Sequence, residues 1–161
     1  MRENDLYMAS TLSKANGSTN ELRVLILTAM YPTEENPAYG SFVRSQVEAL
    51  KRAGVEVELL ALTGLRKWKY IKGIFQLRHR LSRGSFDLVH AHFGYVGIVA
   101  RTQWKVPVIV TFHGDDVLGT VNDHGKTTFV STLMAKACKI LSRWVDATVV
   151  QSPEMANRLG N

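Results

Sequence analysis

The stretch L-R-V-L-I-L-T at residues 22–28 is short and almost continuously apolar. Such a run is typical of a strand that is covered on both faces, as in a parallel sheet between helices. A proline-containing loop follows at residues 29–40, and the chain from Ser41 carries apolar side chains at helical spacing. Ser41 is predicted to cap this helix, and Gly54 to end it in a left-handed conformation. The segment therefore predicts a strand followed by a helix.

The same alternation continues along the chain. Strands are predicted at residues 55–62, 87–92, 107–113 and 146–150. Helices are predicted at residues 68–83, 95–104 and 127–145, and from residue 153 onward. Alternating strands and helices with right-handed crossovers predict a Rossmann-like α/β fold, in three α/β/α layers around a mostly parallel sheet.

Composition limits the organisation of the chain. Residues 21–161 suit one domain of ordinary size, whereas residues 1–20 are polar and aperiodic and are predicted to be a flexible leader. The leader lacks the apolar centre of a signal peptide, and no apolar run reaches the roughly 18 residues needed to span a bilayer. The single cysteine, Cys138, is predicted to be a small buried side chain. We expect a cytoplasmic protein.

The basic character of the chain is local. The sequence has 20 basic and 14 acidic residues, and seven of the basic ones lie within residues 65–83, where there is no acidic residue. This segment is amphipathic and carries Trp68 and Tyr70 near its start, a composition that favours an anionic membrane surface. The alternative is a helix that packs on the sheet and exposes a solvated basic side. The membrane-facing candidates are Arg66, Lys67, Trp68, Lys69, Tyr70 and Lys72.

Ligands of an open α/β sheet bind beyond the carboxyl ends of its strands. Gly40 and Ser41 follow the first strand and begin a helix, an arrangement that suits a diphosphate. The chain has neither the G-x-G-x-x-G of a dinucleotide site nor the G-x-x-x-x-G-K-[ST] of a P-loop. The alternative interpretation is an ordinary loop glycine.

Three histidines and two aspartates follow the third and fourth strands. His92 and His113 are expected to face the cleft and His90 to be partly buried, while Asp115 and Asp116 could accept hydrogen bonds from sugar hydroxyls. Asp116 could equally cap a helix. No carboxylate or thiolate completes a metal site with the histidines at a familiar spacing, so no metal is expected.

Four motifs carry a resemblance to a known family. They are Y-P-T-E-E-N-P-A-Y-G-S-F-V-R-S-Q-V-E-A-L (31–50), D-L-V-H-A-H-F-G (87–94), V-T-F-H-G-D-D (110–116) and A-T-V-V-Q-S-P-E-M-A-N-R-L-G (147–160). In this order they resemble the N-terminal domain of family-4 retaining glycosyltransferases of GT-B fold. One departure is Gly40-Ser41, where the family often has a glycine pair.

The resemblance implies a role for each motif. Members transfer a sugar from a nucleotide-sugar donor to a glycan or lipid-linked acceptor, without a metal or other cofactor and with no protein nucleophile. The resemblance places Gly40 and Ser41 near the donor diphosphate, His113 and Asp115 at the transferred sugar as the catalytic candidates, and His92, Gly94 and Asp116 along the acceptor side of the cleft.

Most of the donor site of this family belongs to a C-terminal domain with an E-x7-E region, which residues 1–161 do not contain. We therefore expect the C-terminal domain as a partner and no transfer by residues 1–161 alone. The function predicted is transfer of a sugar to a glycan or lipid-linked acceptor in polysaccharide biosynthesis, in the cytoplasm or peripherally at the inner face of the plasma membrane, without nucleic acid. The alternatives are a non-catalytic Rossmann-like module that binds a sugar or lipid, and one subunit of a two-chain glycosyltransferase.

Overall fold

Five parallel strands form the central sheet of the protein. The computed structural model describes residues 21–65, 67–119 and 129–160, with Phe129 described by its backbone alone. The predicted leader 1–20, Arg66 and the first two residues of the helix predicted at 127–145 lie outside the described residues. The strands are β1 (Arg23–Thr28), β2 (Glu56–Ala61), β3 (Leu88–His92), β4 (Val108–Thr111) and β5 (Ala147–Val149).

Helices connect the strands. They are α1 (Ser41–Arg52), α2 (Trp68–Arg83), α3 (Gly94–Ala100), α4 (Asp115–Leu118), α5 (Phe129–Leu141) and α6 (Pro153–Leu159). The strand order is β2-β1-β3-β4-β5, and each neighbouring pair is parallel. The order reverses between β1 and β3, which is the position at which open α/β sheets form a crevice. The predicted Rossmann-like α/β fold is confirmed.

Alternation along β1 explains the two cores of the domain. Val24 and Ile26 point to one face of the sheet and pack with Val43 and Val47 of α1. Leu25 and Leu27 point to the other face, because successive side chains of a strand alternate. The larger cluster on that face includes side chains of α2, α3, α5 and α6, namely Leu77, Leu81, Val96, Val99, Cys138, Leu141, Met155 and Leu159. Cys138 is buried, as the sequence predicts.

Some local predictions are wrong. Ser41 does not cap α1: the cap position is occupied by Gly40, and no side chain accepts a hydrogen bond there. Helix α3 ends at Ala100, whereas the prediction extended it to residue 104. The short helix α4 was not predicted, because four residues are too few to show a helical period. Gly54 does take the left-handed conformation, with φ of 82°.

Candidate functional site

The N-terminus of α1 reaches the carboxyl edge of the sheet beside β3 and β4. The Phe42 ring lies 4.8 Å from the His113 ring and 5.9 Å from the Phe93 ring, measured between centroids. Phe42 is two residues from Gly40, so the loop after β1 and the loop after β4 meet at one place. The structure thus brings together the two segments in which the sequence predicted a diphosphate site and a catalytic histidine.

Gly40 packs closely against the backbone of Met30 and Tyr31 in the loop after β1. Its backbone is left-handed, with φ of 71°, and a β-carbon built on it would lie 2.5 Å from the Met30 carbonyl oxygen. The Ser41 N–H is already bonded to the Ala38 carbonyl at 3.2 Å. The glycine is therefore required by the fold of its own loop, whatever ligand the helix N-terminus binds.

Three histidine rings form a stack at the ends of β3 and β4. The centroids of His90 and His92 lie 4.7 Å apart, and those of His92 and His113 lie 5.5 Å apart. His90 Nε2 is 2.7 Å from the Thr111 hydroxyl, and His92 Nδ1 is 3.2 Å from His113 Nε2. His92 is fully buried, so it reaches the site surface only through His113. The expectation that His92 itself faces the cleft is corrected by this burial.

All three rings favour the neutral form. Burial lowers the pKa of His90 to about 4, with a smaller effect from His113. Burial, with contributions from both neighbouring rings, lowers the pKa of His92 to about 3. Burial also lowers the pKa of His113. Uncharged imidazoles in this stack can exchange hydrogen bonds with each other and with hydroxyl groups.

Gln151 was not predicted as a site residue. Its Nε2 lies 3.2 Å from His113 Nδ1, so both ring nitrogens of His113 have partners within the chain. Gln151 follows β5, and its side chain is exposed. Its place after a strand end was the available sequence signal, but nothing in the sequence paired it with a histidine 38 positions away.

The backbone beside His113 is strained. Phe93 has φ of 76° and ψ of 150°, a region populated almost entirely by glycine, and its ring lies 4.4 Å from the His113 ring. Phe93 directly follows β3 at the crevice, and Phe42 contacts the His113 ring as well. These two aromatic rings hold His113 in place, and strain of this kind is concentrated at functional sites.

The two aspartates differ in environment. Asp115 is exposed, at the first position of α4. Asp116 is buried, and its Oδ2 accepts hydrogen bonds from the backbone N–H groups of Gly94 at 3.1 Å and of His113 at 3.2 Å. Burial raises the Asp116 pKa to about 6, although the two N–H bonds act in the opposite direction. Asp116 therefore joins the loop after β4 to the start of α3.

Gly94 is a packing residue in this structure. A β-carbon on it would lie 2.3 Å from Cys138 Sγ, and its N–H is bonded to Asp116. Gly94 is buried, so the expectation that it lines the cleft is corrected by its contact with α5.

Two adjoining cavities lie along the carboxyl edge of the sheet. The first, of about 320 Å³, runs between the loops after β1 and β2, and its lining includes Tyr31, Tyr39, Thr63 and Lys69. The second, of about 160 Å³, shares Tyr39 and Lys69 with the first and reaches Asp116. We call these two cavities the edge groove. Its second cavity lies at the topological switch point between β1 and β3.

Helix α2 has two apolar faces. The face that packs on the core includes Gly73, Leu77 and Leu81. A second apolar surface is exposed to solvent: Trp68 is 72% exposed, Phe75 68% and Leu65 82%, and Ile71 lies between them. We call this second set, Leu65, Trp68, Ile71 and Phe75, the exposed apolar strip. Leu81 is buried in the core, whereas Ile71 and Phe75 are exposed.

The membrane-facing candidates differ in their exposure and surroundings. Lys67, Trp68 and Lys72 are exposed, whereas Tyr70 is half-buried and stacks on Tyr95 with centroids 5.5 Å apart. The expectation that Tyr70 faces a membrane is therefore corrected, because its ring is turned toward α3. Arg66 lies outside the described residues, and Lys69 lines the edge groove.

Neither a metal site nor a membrane span is found in the part of the chain that the structure describes. No three His, Cys, Asp or Glu side chains among residues 21–65, 67–119 and 129–160 are grouped so that they could hold a metal ion. None of the helices in these ranges is both long and apolar enough to cross a bilayer.

The parallel sheet, the crevice between β1 and β3 and the polar groups after β3 and β4 define a Rossmann-like ligand-binding domain. Residues 22–161 match the family model of the glycosyl transferase 4-like domain. The match spans nearly the whole chain, so the protein belongs to this family of glycosyltransferase domains. A search of curated proteins finds no match.

Proposed function

We propose that this domain forms the acceptor side of a retaining glycosyltransferase that uses a nucleotide-sugar donor. The supporting observation is the edge groove, which reaches the switch point of the sheet in a domain of a glycosyltransferase family. The groove is lined by aromatic rings together with a few polar side chains, and it ends beside the loop that carries His113. Aromatic rings and hydroxyl groups suit the flat, hydroxyl-rich surface of a sugar.

In the proposed reaction an acceptor hydroxyl oxygen forms a bond to the anomeric carbon of the donor sugar. The bond from that carbon to the diphosphate oxygen breaks on the same face, and the acceptor proton passes to the departing phosphate oxygen. The nucleoside diphosphate leaves, and no covalent protein intermediate is formed. The protein contributes position and electrostatic stabilisation.

The residues have distinct proposed roles. The N-terminus of α1, at Gly40 and Ser41, directs the positive end of its dipole toward the donor diphosphate. His113 contacts a hydroxyl of the transferred sugar through Nδ1, after the exposed Gln151 side chain moves aside. Exposed Asp115 accepts a hydrogen bond from a second hydroxyl. Asp116 and His92 position His113 and do not touch the substrate themselves.

A second, donor-binding domain completes the site in this proposal. Residues 21–161 then bind acceptor, whereas transfer requires both domains. A purified chain of 161 residues should give no product from UDP-, GDP- or ADP-sugars with glycan or glycolipid acceptors. Turnover by this chain alone would contradict the proposal that transfer requires both domains.

The test of the site uses the chain joined to a donor-binding domain of a glycosyltransferase 4 enzyme, with product detected by mass spectrometry. His113→Ala should lower kcat by about 100-fold, as expected for loss of one group that contacts the transition state. His79→Ala is the matched control, because His79 is exposed on α2 away from the groove. If the chain binds sugars but gives no product with any donor-binding domain, the alternative of a non-catalytic binding module is favoured.

A peripheral membrane contact is a second proposal, and the exposed apolar strip supports it. Trp68 and Phe75 protrude from α2, and Lys67 and Lys72 are exposed beside them. Side chains of this kind bind the interface of an anionic membrane, each basic group contributing roughly 1 kcal/mol near the surface. The contact would bring a lipid-linked acceptor to the edge groove, which begins at the same end of α2.

Vesicle sedimentation tests the contact. The chain should bind vesicles that contain anionic lipid more tightly than neutral vesicles, and salt should weaken the binding. The double variant Trp68→Gln/Phe75→Gln should lower the partition coefficient by about tenfold or more, because it removes two large apolar side chains that would be buried in the membrane interface. Trp144→Gln is the control, because Trp144 is similarly exposed but does not belong to the exposed apolar strip. Equal loss in both variants, or equal binding to neutral vesicles, would contradict the proposal.

A further inference from the structure

Lys69 stands at the junction of the grooves around the N-terminus of α2. It lines both cavities of the edge groove, one of which also reaches Asp116. It also lines an apolar groove of about 560 Å³ between α2 and α3, together with Ile71, Ile74 and Ile98. The Lys69 side chain therefore borders each of these spaces, and a ligand in any of them would lie beside it.

The charge of Lys69 is not neutralised within the described residues. No ion pair among them includes Lys69, and the contact of its Nζ is with the Tyr70 ring, 5.3 Å from the centroid. The one carboxylate on the shared cavity, Asp116, is held by two backbone N–H groups. Lys69 is half-buried and has no carboxylate partner among the described residues, which makes it a favourable site for an anion.

Helix stability does not explain this cation. Lys69 lies in the first turn of α2, where a positive charge opposes the helix dipole, and that turn has no acidic residue to offset it. The charge is thus unfavourable for the helix and favourable for an anionic ligand.

The surrounding aromatic side chains suit a polar ring beside the anion. Tyr39, Tyr70 and Tyr95 line the cavity that Lys69 shares with Asp116, and Tyr70 and Tyr95 stack on each other. We propose that Lys69 binds an anionic group, a phosphate or a carboxylate, carried by the acceptor at the edge groove. This inference rests on the proposed function and names the chemical class of its acceptor.

The anion could belong to a soluble sugar phosphate or to a lipid headgroup, and the two differ in what else they contact. A soluble acceptor would occupy the edge groove alone. A lipid would also lay its alkyl chain along the groove of Ile71, Ile74 and Ile98. Burial of alkyl groups there would add affinity at roughly 0.8 kcal/mol for each methylene that leaves water.

The experiment follows backbone amide shifts of the isotope-labelled 161-residue chain during titration with three probes. These are glucose 1-phosphate, its neutral counterpart methyl glucoside, and dodecyl phosphate below its micelle concentration, all at one ionic strength. The variants are Lys69→Met and the charge-matched control Lys136→Met, because Lys136 is exposed on α5 and lines none of these grooves.

Glucose 1-phosphate should give saturable shifts at Tyr39, Lys69 and Tyr70, with a Kd that rises about tenfold in Lys69→Met and less than about twofold in Lys136→Met. Tighter binding of dodecyl phosphate, with added shifts at Ile74 and Ile98, identifies a lipid source of the anion, and its absence identifies a soluble one.

Three outcomes would overturn the inference in different ways. If methyl glucoside binds as tightly as glucose 1-phosphate, the anion does not contribute to binding, whereas the acceptor site of the proposed function still stands. No saturable shift at the edge groove with any probe removes both this inference and the acceptor site of the proposed function. Equal weakening by both variants shows general charge attraction and also contradicts a specific Lys69 site.

Discussion

His92 Nδ1 lies 3.2 Å from His113 Nε2, which couples the protons of the two imidazoles. Only one of the facing nitrogens can carry hydrogen if the contact is a hydrogen bond, so at least one ring must be neutral. If Gln151 donates to His113 Nδ1, then His113 donates to His92, and the proton of His92 lies on the buried Nε2. In this arrangement His113 presents an acceptor nitrogen, Nδ1, to a ligand that displaces Gln151.

The first prediction concerns the charge of the histidine stack. His90 and His92 should remain neutral at pH 6, because burial lowers their pKa values to about 4 and about 3. Nitrogen chemical shifts of the imidazoles, measured between pH 4 and 8, report this directly. A cationic His92 ring at pH 6 would contradict the packing described here.

The stack also affects stability. The folded-state pKa values lie below the usual value of 6.5, so the folded chain binds these protons less tightly than the unfolded chain. The contribution of the histidines to stability is complete above about pH 6.5 and is lost as the pH falls toward 4. Urea unfolding at several pH values should show this decline.

Asp116 makes the opposite contribution. Its pKa is raised from 3.8 to about 6, so the folded chain binds this proton more tightly than the unfolded chain. Asp116 therefore favours folding most below about pH 4, and this contribution is lost as the pH rises through 6. The variant Asp116→Asn should keep an oxygen acceptor for both N–H groups and remove the buried charge. We expect stability near pH 7 to be unchanged or higher, by at most about 3 kcal/mol.

The control for Asp116→Asn is Asp116→Ala, which removes the acceptor as well as the charge. Two buried N–H groups, those of Gly94 and His113, would then lack their partner. Loss of these bonds should lower the free energy of unfolding by about 2–4 kcal/mol. If the two variants were equally unstable in urea, the hydrogen bonds of Asp116 would not be its main role.

A third prediction concerns the contact between α3 and α5. A β-carbon on Gly94 would lie 2.3 Å from Cys138 Sγ, and Gly94 does not have a positive φ that would penalise alanine. Gly94→Ala should therefore destabilise the protein by about 1–3 kcal/mol through overpacking. The double variant Gly94→Ala/Cys138→Ala should recover part of this loss, so a double-mutant cycle in urea should give a favourable coupling energy. Additive losses would show that the contact is not responsible.

The strand and helix pattern could be predicted because its signals are local. The apolar run of β1 and the apolar spacing of α1 lie within a few residues, and each fixes one element. The packed face of α2 could not be predicted for a related reason. Helical spacing permits several apolar faces, and Gly73 identifies the packed one: a β-carbon on it would lie 2.8 Å from Leu62.

The site was predicted in part. Strand ends locate Gly40 and His113 at one edge, because parallel strands align their carboxyl ends. The contact of His113 with Gln151 and that of Gly94 with Asp116 span 38 and 22 positions, and only tertiary packing creates them. Burial of His92 and Asp116 has the same origin. A strand-end polar residue in the sequence does not reveal whether it faces solvent or a neighbouring loop.

Gly40 and Gly54 provide a matched pair for the last prediction. Both have a left-handed backbone, with φ of 71° and 82°, but a β-carbon on Gly54 would meet nothing within 4 Å, whereas on Gly40 it would meet the Met30 carbonyl oxygen at 2.5 Å. Gly54→Ala should cost about 1 kcal/mol from backbone conformation alone. Gly40→Ala should cost clearly more and should shift the amide signals of Tyr31 and Phe42, because the loop must move. Since Phe42 contacts the His113 ring, the His113 signals should shift in Gly40→Ala and stay unchanged in Gly54→Ala. Equal losses of stability with no change at His113 would show that the loop after β1 and the histidine stack are independent.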